Sequence, residues 1–243
     1  VRFGVCDRLS FRRGSCEVEE LNRTRIEWTD ATLNPVVGCP HGCDFCYARD
    51  QAKRQKHRCY LCYRFIVHPH LERLNQIKPT QRPLKIFIDS MWDWNSADVE
   101  TSWLEEIIEK MRECRQHTFQ ILSKRPKRYA RFVYPENVWL GASMSTTYEA
   151  YRVLELDKVL GRNIKFVSIE PIHEQIDFWF SKVDWIIVGA ETGHRVGKIV
   201  PKKEWIEALV FNAKEEGIPI FLKNNLGLPN PIQEFPNSEG RAA

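Results

Sequence analysis

Three closely spaced cysteines carry the strongest chemical signal in this sequence. Cys39, Cys43 and Cys46 have the spacing C-x3-C-x2-C. Thiolates are the natural ligands of iron–sulfur clusters, and four cysteines normally complete a cubane. Three cysteines would bind three irons and leave the fourth iron open, which is what a catalytic metal site needs. The spacing therefore predicts an iron–sulfur cluster with one open position.

A second cysteine pair follows shortly downstream and allows a different interpretation. Cys59 and Cys62 are separated by two residues and have histidines on both sides, namely His57, His68 and His70. Two CxxC pairs at this distance are typical of a tetrahedral zinc site or a rubredoxin-like iron site. The ligands would then be Cys43, Cys46, Cys59 and Cys62. Under this alternative the protein is a non-catalytic, zinc- or iron-binding, nucleic-acid-binding protein. A separate second metal at Cys59 and Cys62, or two buried thiols, are further alternatives.

Composition places the chain among ordinary globular proteins. It has 243 residues, of which 43% are hydrophobic and 28% are charged, and its net charge is +4. No apolar run approaches the roughly 20 residues that span a membrane, and residues 1–25 show no apolar segment of a signal peptide. Eight cysteines without a secretory signal indicate a reducing compartment and metal or redox chemistry. We therefore expect a cytoplasmic protein without a membrane segment.

Apolar strand patterns alternate with helical patterns along most of the chain. Strands are predicted at 36–37, 84–90, 118–123, 138–143, 164–170, 184–189 and 218–223, and helices at 97–115, 126–133, 146–160 and 202–216. Short apolar strands alternating with helices are typical of a parallel sheet that is buried on both faces. The predicted fold is α/β, a partial or complete (β/α) barrel of six to seven parallel strands. A doubly wound open sheet is the alternative.

The same pattern divides the chain into three segments. Residues 1–25 are predicted to form an N-terminal arm, whose Cys6 and Cys16 we interpret as free thiols. Residues 26–225 form the barrel domain, with a basic, cysteine-containing insertion at about 53–82. Residues 226–243 are rich in Pro, Asn and Gly and form an extended tail.

Each predicted strand ends in polar residues. In α/β barrels the C-terminal ends of the strands build the active site. Because the first predicted strand leads into the cysteine motif, we expect that motif and these polar residues to share one face. The candidates at the strand ends are Asp89, Ser90, Lys124, Arg125, Ser143, Ser168, Glu170, Gly189, Glu191 and Lys223.

A basic stretch with interleaved aromatic residues occupies residues 44–82. It includes Tyr47, Tyr60, Tyr63 and Phe65 among many Lys and Arg residues. Basic residues with stacking rings are typical of a groove for single-stranded nucleic acid. A solvated helix face with a surface loop would give the same composition, and this alternative stays open.

These residues resemble the radical S-adenosylmethionine superfamily. Its signature, C-x3-C-x-aromatic-C, is matched by Cys39, Cys43, Phe45 and Cys46 in the loop after the predicted first strand. More closely, residues 26–236 look like a phage and bacterial family of radical-SAM-like proteins of unassigned function. The shared stretches are Ile26-Glu-Trp-Thr-Asp, Asn34-Pro-Val, Cys43-Asp-Phe-Cys46-Tyr-Ala, Ser90-Met91-x-Asp93, Leu122-Ser-Lys-Arg-Pro, Asn137-Val-Trp-Leu-Gly, Val167-Ser-Ile-Glu-Pro, Asp184-Trp-Ile-Ile-Val-Gly-Ala-Glu and Phe221-Leu-Lys.

The resemblance implies a [4Fe-4S] cluster on the three cysteines, with S-adenosylmethionine chelated by the open iron. One electron, from a donor such as flavodoxin or ferredoxin, would cleave the sulfonium, and the resulting 5′-deoxyadenosyl radical would abstract hydrogen from an unknown substrate. A nucleic acid or nucleotide is the first expectation for that substrate. Phe45 would shield the cluster and Tyr47 would approach the adenine. The strand ends would bind the rest of the cofactor, with Lys124, Arg125 and Lys223 as contacts for its carboxylate or an anionic substrate.

Overall fold

The computed structural model describes residues 21–192 and 195–237. In chain order the strands are β1 (Asn22–Arg23), β2 (Ala31–Thr32), β3 (Val36–Val37), β4 (His68–Pro69), β5 (Lys85–Phe87), β6 (Thr118–Ser123), β7 (Val138–Met144), β8 (Lys165–Ile169), β9 (Trp185–Val188) and β10 (Ile220–Leu222). The α-helices are α1 (Tyr47–Ala52), α2 (Tyr60–Arg64), α3 (Thr101–Glu113), α4 (Tyr151–Asp157) and α5 (Lys203–Glu215). Short 3-10 segments lie at Lys53–Gln55, Leu71–Gln76, Pro126–Arg131, Thr147–Ala150 and Asn224–Leu226.

One large sheet organises the molecule. Its strands lie side by side in the order β1-β2-β5-β6-β7-β8-β9-β10. All neighbours from β2 to β10 pair in parallel, and β1 adds an antiparallel strand beside β2. The sheet therefore contains seven parallel strands arranged as a partial barrel, in agreement with the six to seven that the sequence predicts.

Helices cover the outer face of this sheet. Helix α3 buries Leu104, Ile107, Ile108 and Met111, whose spacing of three to four residues places them on one side of the helix. Helix α5 buries Ile206, Leu209 and Ala213 in the same way near β9 and β10. Within the described ranges, no helix combines the length and the apolar character needed to cross a bilayer.

Most predicted elements are present, with shifted bounds. Strand β6 has the predicted bounds of 118–123. The segment predicted as a helix at 126–133 is a 3-10 segment with Pro126 at its start. The helix predicted at 146–160 is shorter and divides into a 3-10 turn and α4.

The first strand of the parallel sheet differs from the prediction. The sequence suggests Val36–Val37, but the sheet begins its parallel order with Ala31–Thr32 of β2, which pairs with β5. Val36–Val37 instead forms β3 of a small antiparallel sheet with β4, His68–Pro69. Both candidates are very short, and the local pattern does not specify which partner strand each one meets.

The side chains on the concave face of the sheet change from aromatic to polar along the strands. Side chains two residues apart on a strand point to the same face. On β7 this places Trp139, Gly141 and Ser143 on one face, and on β8 it aligns Phe166 with Ser168. The aromatic members pack together in one buried cluster with neighbouring strands: Trp28, Phe87, Trp139, Phe166, Trp185 and Phe221. Aromatic residues therefore fill the N-terminal end of the concave face, and polar residues follow toward the C-terminal end.

The segments before and after the sheet are described in part. Residues 1–20, with Cys6 and Cys16, and residues 238–243 lie outside the described residues. The start of the predicted tail runs beside β10, because the Leu222 N–H donates to the Ile232 carbonyl at 2.7 Å and the Glu234 N–H to the Ile220 carbonyl at 3.0 Å. Phe235 packs over Trp185 with ring centroids 5.3 Å apart. This part of the tail therefore extends the sheet at its last strand.

Candidate functional site

The cysteine loop connects β3 to α1. It starts at Gly38, where φ is +102° and a Cβ atom would lie 2.3 Å from the backbone of Ile66. Only glycine allows this conformation and this close approach. The loop then presents Cys39, Cys43 and Cys46, all half-buried and none in a disulfide.

The three thiols are electrostatically coupled. Burial raises the pKa of Cys39 to about 12, and the neighbouring charges of Cys43 and Cys46 act in the same direction. Burial also raises the pKa of Cys43, while Lys124 acts to lower it. Without a metal these two thiols hold their protons, and metal binding would replace them, because only the thiolate is a good ligand.

His41 anchors the middle of this loop to the sheet. Its Nε2 lies 3.3 Å from Oδ2 of Asp93, which is buried beyond the end of β5. The same carboxylate accepts hydrogen bonds from the Ser123 hydroxyl at 2.7 Å and from the Lys124 N–H at 2.8 Å. Burial acts to raise the pKa of Asp93, but His41 and these donors outweigh it and lower the pKa. A charged Asp93 therefore joins the cysteine loop to the ends of β5 and β6.

Phe45 contacts two strand-end segments from within the cysteine motif. The Lys124 ammonium lies over its ring, 5.6 Å from the centroid. The imidazole of His173 meets the ring edge-on with centroids 5.1 Å apart. Lys124 Nζ also donates a hydrogen bond to the Ser143 hydroxyl at the end of β7, over 2.9 Å. The loop therefore contacts the ends of β6 and β7, and Lys124 joins the three.

Tyr47 connects the start of α1 to the segment after β5. Its hydroxyl donates to the Ser90 carbonyl at 2.8 Å. The side chain of Asn34 exchanges hydrogen bonds with the Ser90 hydroxyl at 2.9 and 3.2 Å and accepts one from the Met91 N–H at 2.8 Å. Burial of the hydroxyl raises the pKa of Tyr47, and the carboxylate of Glu170 adds to this effect. The tyrosine therefore stays neutral and faces a carboxylate at the end of β8.

The ends of β8, β9 and β10 meet at an ion pair. Glu170 Oε1 lies 2.8 Å from Lys223 Nζ, and its other oxygen accepts from the Ser168 hydroxyl at 3.1 Å. Gly189 lies directly beneath, since a Cβ atom there would be 2.6 Å from Glu170 Oε1. The missing side chain at Gly189 therefore leaves room for the pair.

A second acidic side chain lies farther along the same rim. Glu191 is buried and binds Arg195 through both carboxylate oxygens, each at 2.7 Å. His173 Nε2 lies 3.9 Å from the same carboxylate. The Arg195 hydrogen bonds lower the pKa of Glu191. Glu191 thus borders the site as a paired carboxylate next to the His173–Phe45 contact.

Two of the expected site residues make their hydrogen bonds to neighbouring strand-end segments. Asp89 is buried, and its carboxylate accepts hydrogen bonds from the Leu122 N–H at 2.9 and 3.1 Å, which joins β5 to β6. Burial raises the pKa of Asp89 well above its usual value. Arg125 is exposed, and the contact it makes through its backbone N–H is to the Ser123 hydroxyl.

Several residues of this site are not predicted from the sequence. His41 lies inside the cysteine motif and Asp93 lies in the Ser90-Met91-x-Asp93 stretch, but residue type and spacing alone indicate no role for either. His173 and Ser145 follow strands β8 and β7, and the His173 N–H donates to the Ser145 carbonyl at 3.0 Å. The Ser145 hydroxyl is buried and has no hydrogen-bond partner among the described residues. For His173 and Ser145, the position just after a strand end is the sequence feature that indicates a place in the site.

The second cysteine pair does not join the first one. In the described part of the chain, Cys59 and Cys62 form a group with His68 and His70, and the four ligand atoms lie within 4.8 Å of one another. Neither Cys43 nor Cys46 belongs to this group, so the four-cysteine arrangement of the alternative interpretation is not formed. His57 is exposed and also lies outside the group.

Comparison with known proteins gives a family and a fold. The family model described as "Protein of unknown function (DUF5131)" matches residues 23–240. No curated protein matches the chain. Spore photoproduct lyase complexed with dinucleoside spore photoproduct has a similar structure, with a TM-score of 0.57 at 10% identity, and the match covers 86% of this chain and 81% of that one.

A mutant spore photoproduct lyase with bound AdoMet and dinucleoside spore photoproduct gives a TM-score of 0.52 at 10% identity. That match covers 82% of this chain but 65% of the other, so this chain spans less than two thirds of that structure. At such low identity the likeness concerns the fold. The sheet of seven parallel strands is a radical-SAM-like partial (β/α) barrel, and the predicted fold class is confirmed.

Proposed function

The chain belongs to the DUF5131 family, and we propose that it is a radical S-adenosylmethionine enzyme. The observation that carries this proposal is the contact of Lys124 with both Phe45 and Ser143. It makes the C-x3-C-x-aromatic-C loop and the polar strand ends two walls of the same site. The similarity to a structure with bound AdoMet supports the same function.

The residues of the loop fit a [4Fe-4S] cluster. Three half-buried thiols without disulfide partners influence one another electrostatically and leave one iron without a protein ligand. The ring of Phe45 contacts the His173 imidazole and the Lys124 ammonium, and it would shield the cluster from that side. When bound, the cluster and S-adenosylmethionine together supply reductive cleavage of the sulfonium and hydrogen abstraction from the substrate.

The strand ends fit the polar groups of S-adenosylmethionine. The ammonium groups of Lys124 and Lys223 are suited to a carboxylate, and Glu170 and the Ser90 region are suited to an amine. Gly189 leaves room for the Glu170–Lys223 pair and so keeps both charges at this point of the rim. Ser143 and Ser168 offer hydroxyls for the ribose, and we assign Glu191 to the adenosyl side and Tyr47 to the adenine.

A nucleotide or nucleic acid is the proposed substrate class. The basic 44–82 stretch folds back beside the cysteine loop, since Ile66 contacts Gly38. Arg49 lies over the ring of Phe65 at 5.3 Å, which is an example of the interleaving of basic and aromatic residues there. The dinucleoside in the related structures supports this class. We propose a cytoplasmic enzyme with a flavodoxin- or ferredoxin-like electron donor.

Anaerobic reconstitution with iron and sulfide tests the proposal directly. We expect brown protein with about four irons per chain and broad absorbance near roughly 400 nm. With dithionite and S-adenosylmethionine, the protein should release 5′-deoxyadenosine. The Cys39→Ala variant should lose the cluster and this product.

The matched control is Cys114→Ala, which removes a buried free thiol in the core beneath α3. It should keep both iron and product. Colourless wild-type protein after reconstitution would overturn the cluster assignment. An intact cluster that never yields 5′-deoxyadenosine under reducing conditions would overturn catalysis.

A further inference from the structure

A second group of potential metal ligands lies outside the cysteine loop. We propose that Cys59, Cys62, His68 and His70 bind one Zn²⁺ ion as a closed structural site. Cys59 precedes α2 and Cys62 lies within it, while His68 lies on β4 and His70 just beyond. Two thiolates and two imidazoles are the ligand set of many structural zinc sites.

The four side chains converge as a tetrahedral ion requires. The Cys59 and Cys62 sulfurs lie 3.4 Å from His68 Nε2, and the Cys62 sulfur lies 3.2 Å from His70 Nε2. Bonds of about 2.3 Å to sulfur and about 2.0 Å to nitrogen place tetrahedral ligand atoms roughly 3.3–3.8 Å apart. The two 3.4 Å contacts fall within this range and the 3.2 Å contact lies just below it, so zinc would enter with a small outward movement of the side chains.

The outer nitrogens of both histidines are already bonded in the way a metal site needs. His68 Nδ1 lies 2.8 Å from the Ile66 carbonyl, and His70 Nδ1 lies 3.1 Å from the Glu72 carboxylate. Because these partners accept hydrogen bonds, each Nδ1 carries the proton and each Nε2 presents a lone pair. A carbonyl or carboxylate behind a histidine ligand is the usual arrangement around zinc.

Those two lone pairs face each other. His68 Nε2 and His70 Nε2 are 2.9 Å apart. Two acceptor nitrogens at this distance repel, and a cation between them turns the repulsion into coordination. Thiol hydrogen bonds alone do not explain why His68 Nε2 also meets both sulfurs.

The site is closed, which distinguishes it from the iron–sulfur loop. Cys62 and His68 are buried, with 3% and 8% of their surface exposed, and Cys59 and His70 are half-buried. Four protein ligands complete a tetrahedron and leave no position for a substrate. The ion would therefore act on structure.

Its structural effect would reach the cysteine loop through two contacts. His68 and Pro69 of β4 pair with Val37 and Val36 of β3. Gly38, which opens the loop, packs on the backbone that leads into β4, at Ile66. Zinc would fix α2 against β4 and so hold the start of the loop. This consequence for the cluster rests on the proposed function, whereas the zinc site itself does not.

Metal analysis of the full chain tests the site. We expect about one zinc per chain in protein purified without added metal, and no zinc in a Cys62→Ala/His68→Ala variant. The Cys39→Ala/Cys43→Ala/Cys46→Ala variant should keep its zinc while binding no cluster. Replacement by Co²⁺ should give the visible bands of a tetrahedral site together with thiolate charge-transfer absorption.

Glu72→Gln is a milder variant, because it leaves all four proposed zinc ligands in place. Glu72 is exposed, so the fold should persist, and zinc affinity measured by competition with a chelator should fall by roughly tenfold or more. The control, Glu106→Gln, changes an exposed glutamate on α3 and should leave affinity unchanged.

Three results would overturn the proposal: wild-type protein that takes up neither zinc nor cobalt, loss of zinc in the triple variant, and unchanged affinity in Glu72→Gln. None of these depends on iron content or on 5′-deoxyadenosine. Failure of the zinc site and failure of the proposed enzymatic function can therefore be distinguished.

Discussion

Glu170 and Lys223 form an ion pair across the end of β9, 2.8 Å apart and directly over Gly189. The two side chains come from strands that are not neighbours, since β8 and β10 lie on either side of β9. A side chain on β9 at this point would occupy the space that the pair needs. The ion pair, and with it the charge at this end of the site, therefore depends on a glycine.

Replacing Gly189 with Ala should separate the ion pair. The new Cβ would lie 2.6 Å from Glu170 Oε1 and 3.0 Å from Lys223 Cδ. We expect the free energy of unfolding to fall by about 1–3 kcal/mol, as overpacked positions do, and S-adenosylmethionine to bind more weakly. Urea denaturation and equilibrium dialysis measure the two effects. An unchanged binding constant would remove Gly189 from the cofactor site.

Gly141→Ala is the matched change below the site. Its Cβ would lie 2.4 Å from the Phe166 ring within the aromatic cluster. We expect a similar loss of about 1–3 kcal/mol in stability, with S-adenosylmethionine affinity close to that of the wild type. Urea denaturation and the same dialysis assay measure these effects. If Gly141→Ala weakened S-adenosylmethionine binding as much as Gly189→Ala does, destabilisation alone would explain the loss of affinity.

The coupling between Glu170 and Lys223 can be measured separately. We expect the double-mutant cycle of Glu170→Gln and Lys223→Met to give an interaction free energy of about 0.5–3 kcal/mol, as for contacting residues. The pair is largely shielded, with 20% and 15% of the two side chains exposed, so salt should weaken it only moderately. Strictly additive effects on unfolding would contradict a direct interaction.

Lys124→Met should weaken binding of S-adenosylmethionine while preserving the chain's packing. The variant keeps an unbranched apolar stem but loses the ammonium that contacts Ser143 and Phe45. Loss of a hydrogen bond to a charged group predicts a decrease in affinity of roughly tenfold or more. The control is Lys127→Met, an exposed lysine in the next turn. Equal effects of the two variants would argue for general electrostatics over a specific contact.

Stability should depend on pH through His117. This residue is buried, and its Nδ1 accepts a hydrogen bond from the Leu84 N–H at 3.2 Å. Burial lowers the pKa of His117 below its ordinary value of 6.5. The unfolded chain therefore gains a proton before the folded chain does. The stability from the neutral ring is complete above pH of about 6.5 and is lost as pH falls toward the lower, folded pKa.

Urea denaturation between about pH 7.5 and pH 5 should reveal this loss as a slope in the free energy of unfolding. His117→Asn keeps an acceptor near the Nδ1 position but does not titrate, so the slope should become smaller. His57→Asn, at an exposed position, should leave it unchanged. An unaltered slope in His117→Asn would assign the pH dependence to other groups.

The sequence is most informative where a strand is long and its end is clearly marked. Strand β6 is predicted at its observed bounds, because its Phe, Ile and Leu residues are followed by Lys124, Arg125 and a proline. The polar strand ends followed from the same pattern, and the contact between Lys124 and Ser143 agrees with it. Strand periodicity and strand order thus predict which side chains share the C-terminal edge of the sheet, even when no single residue identifies a site.

Sequence patterns failed where the partner is distant in the chain. Val36–Val37 and Ala31–Thr32 are equally short, and pairing with β4 or β5 decides which sheet each one joins. The chain reversal that brings His68 back to Cys62 passes through Phe65, a non-glycine residue in the left-handed region with φ of 55°. Tertiary packing imposes that conformation, so the residue types in this segment do not predict it.

The aromatic cluster has one further consequence, which concerns how molecules reach the site. Trp28, Trp139 and Trp185 close the N-terminal end of the barrel, and Phe235 of the tail covers Trp185 from outside. In the part of the chain that the structure describes, the concave face is therefore closed at its N-terminal end and accessible from the strand ends. A molecule bound deep on this face would exchange past the strand ends, so a large substrate held there would delay its release.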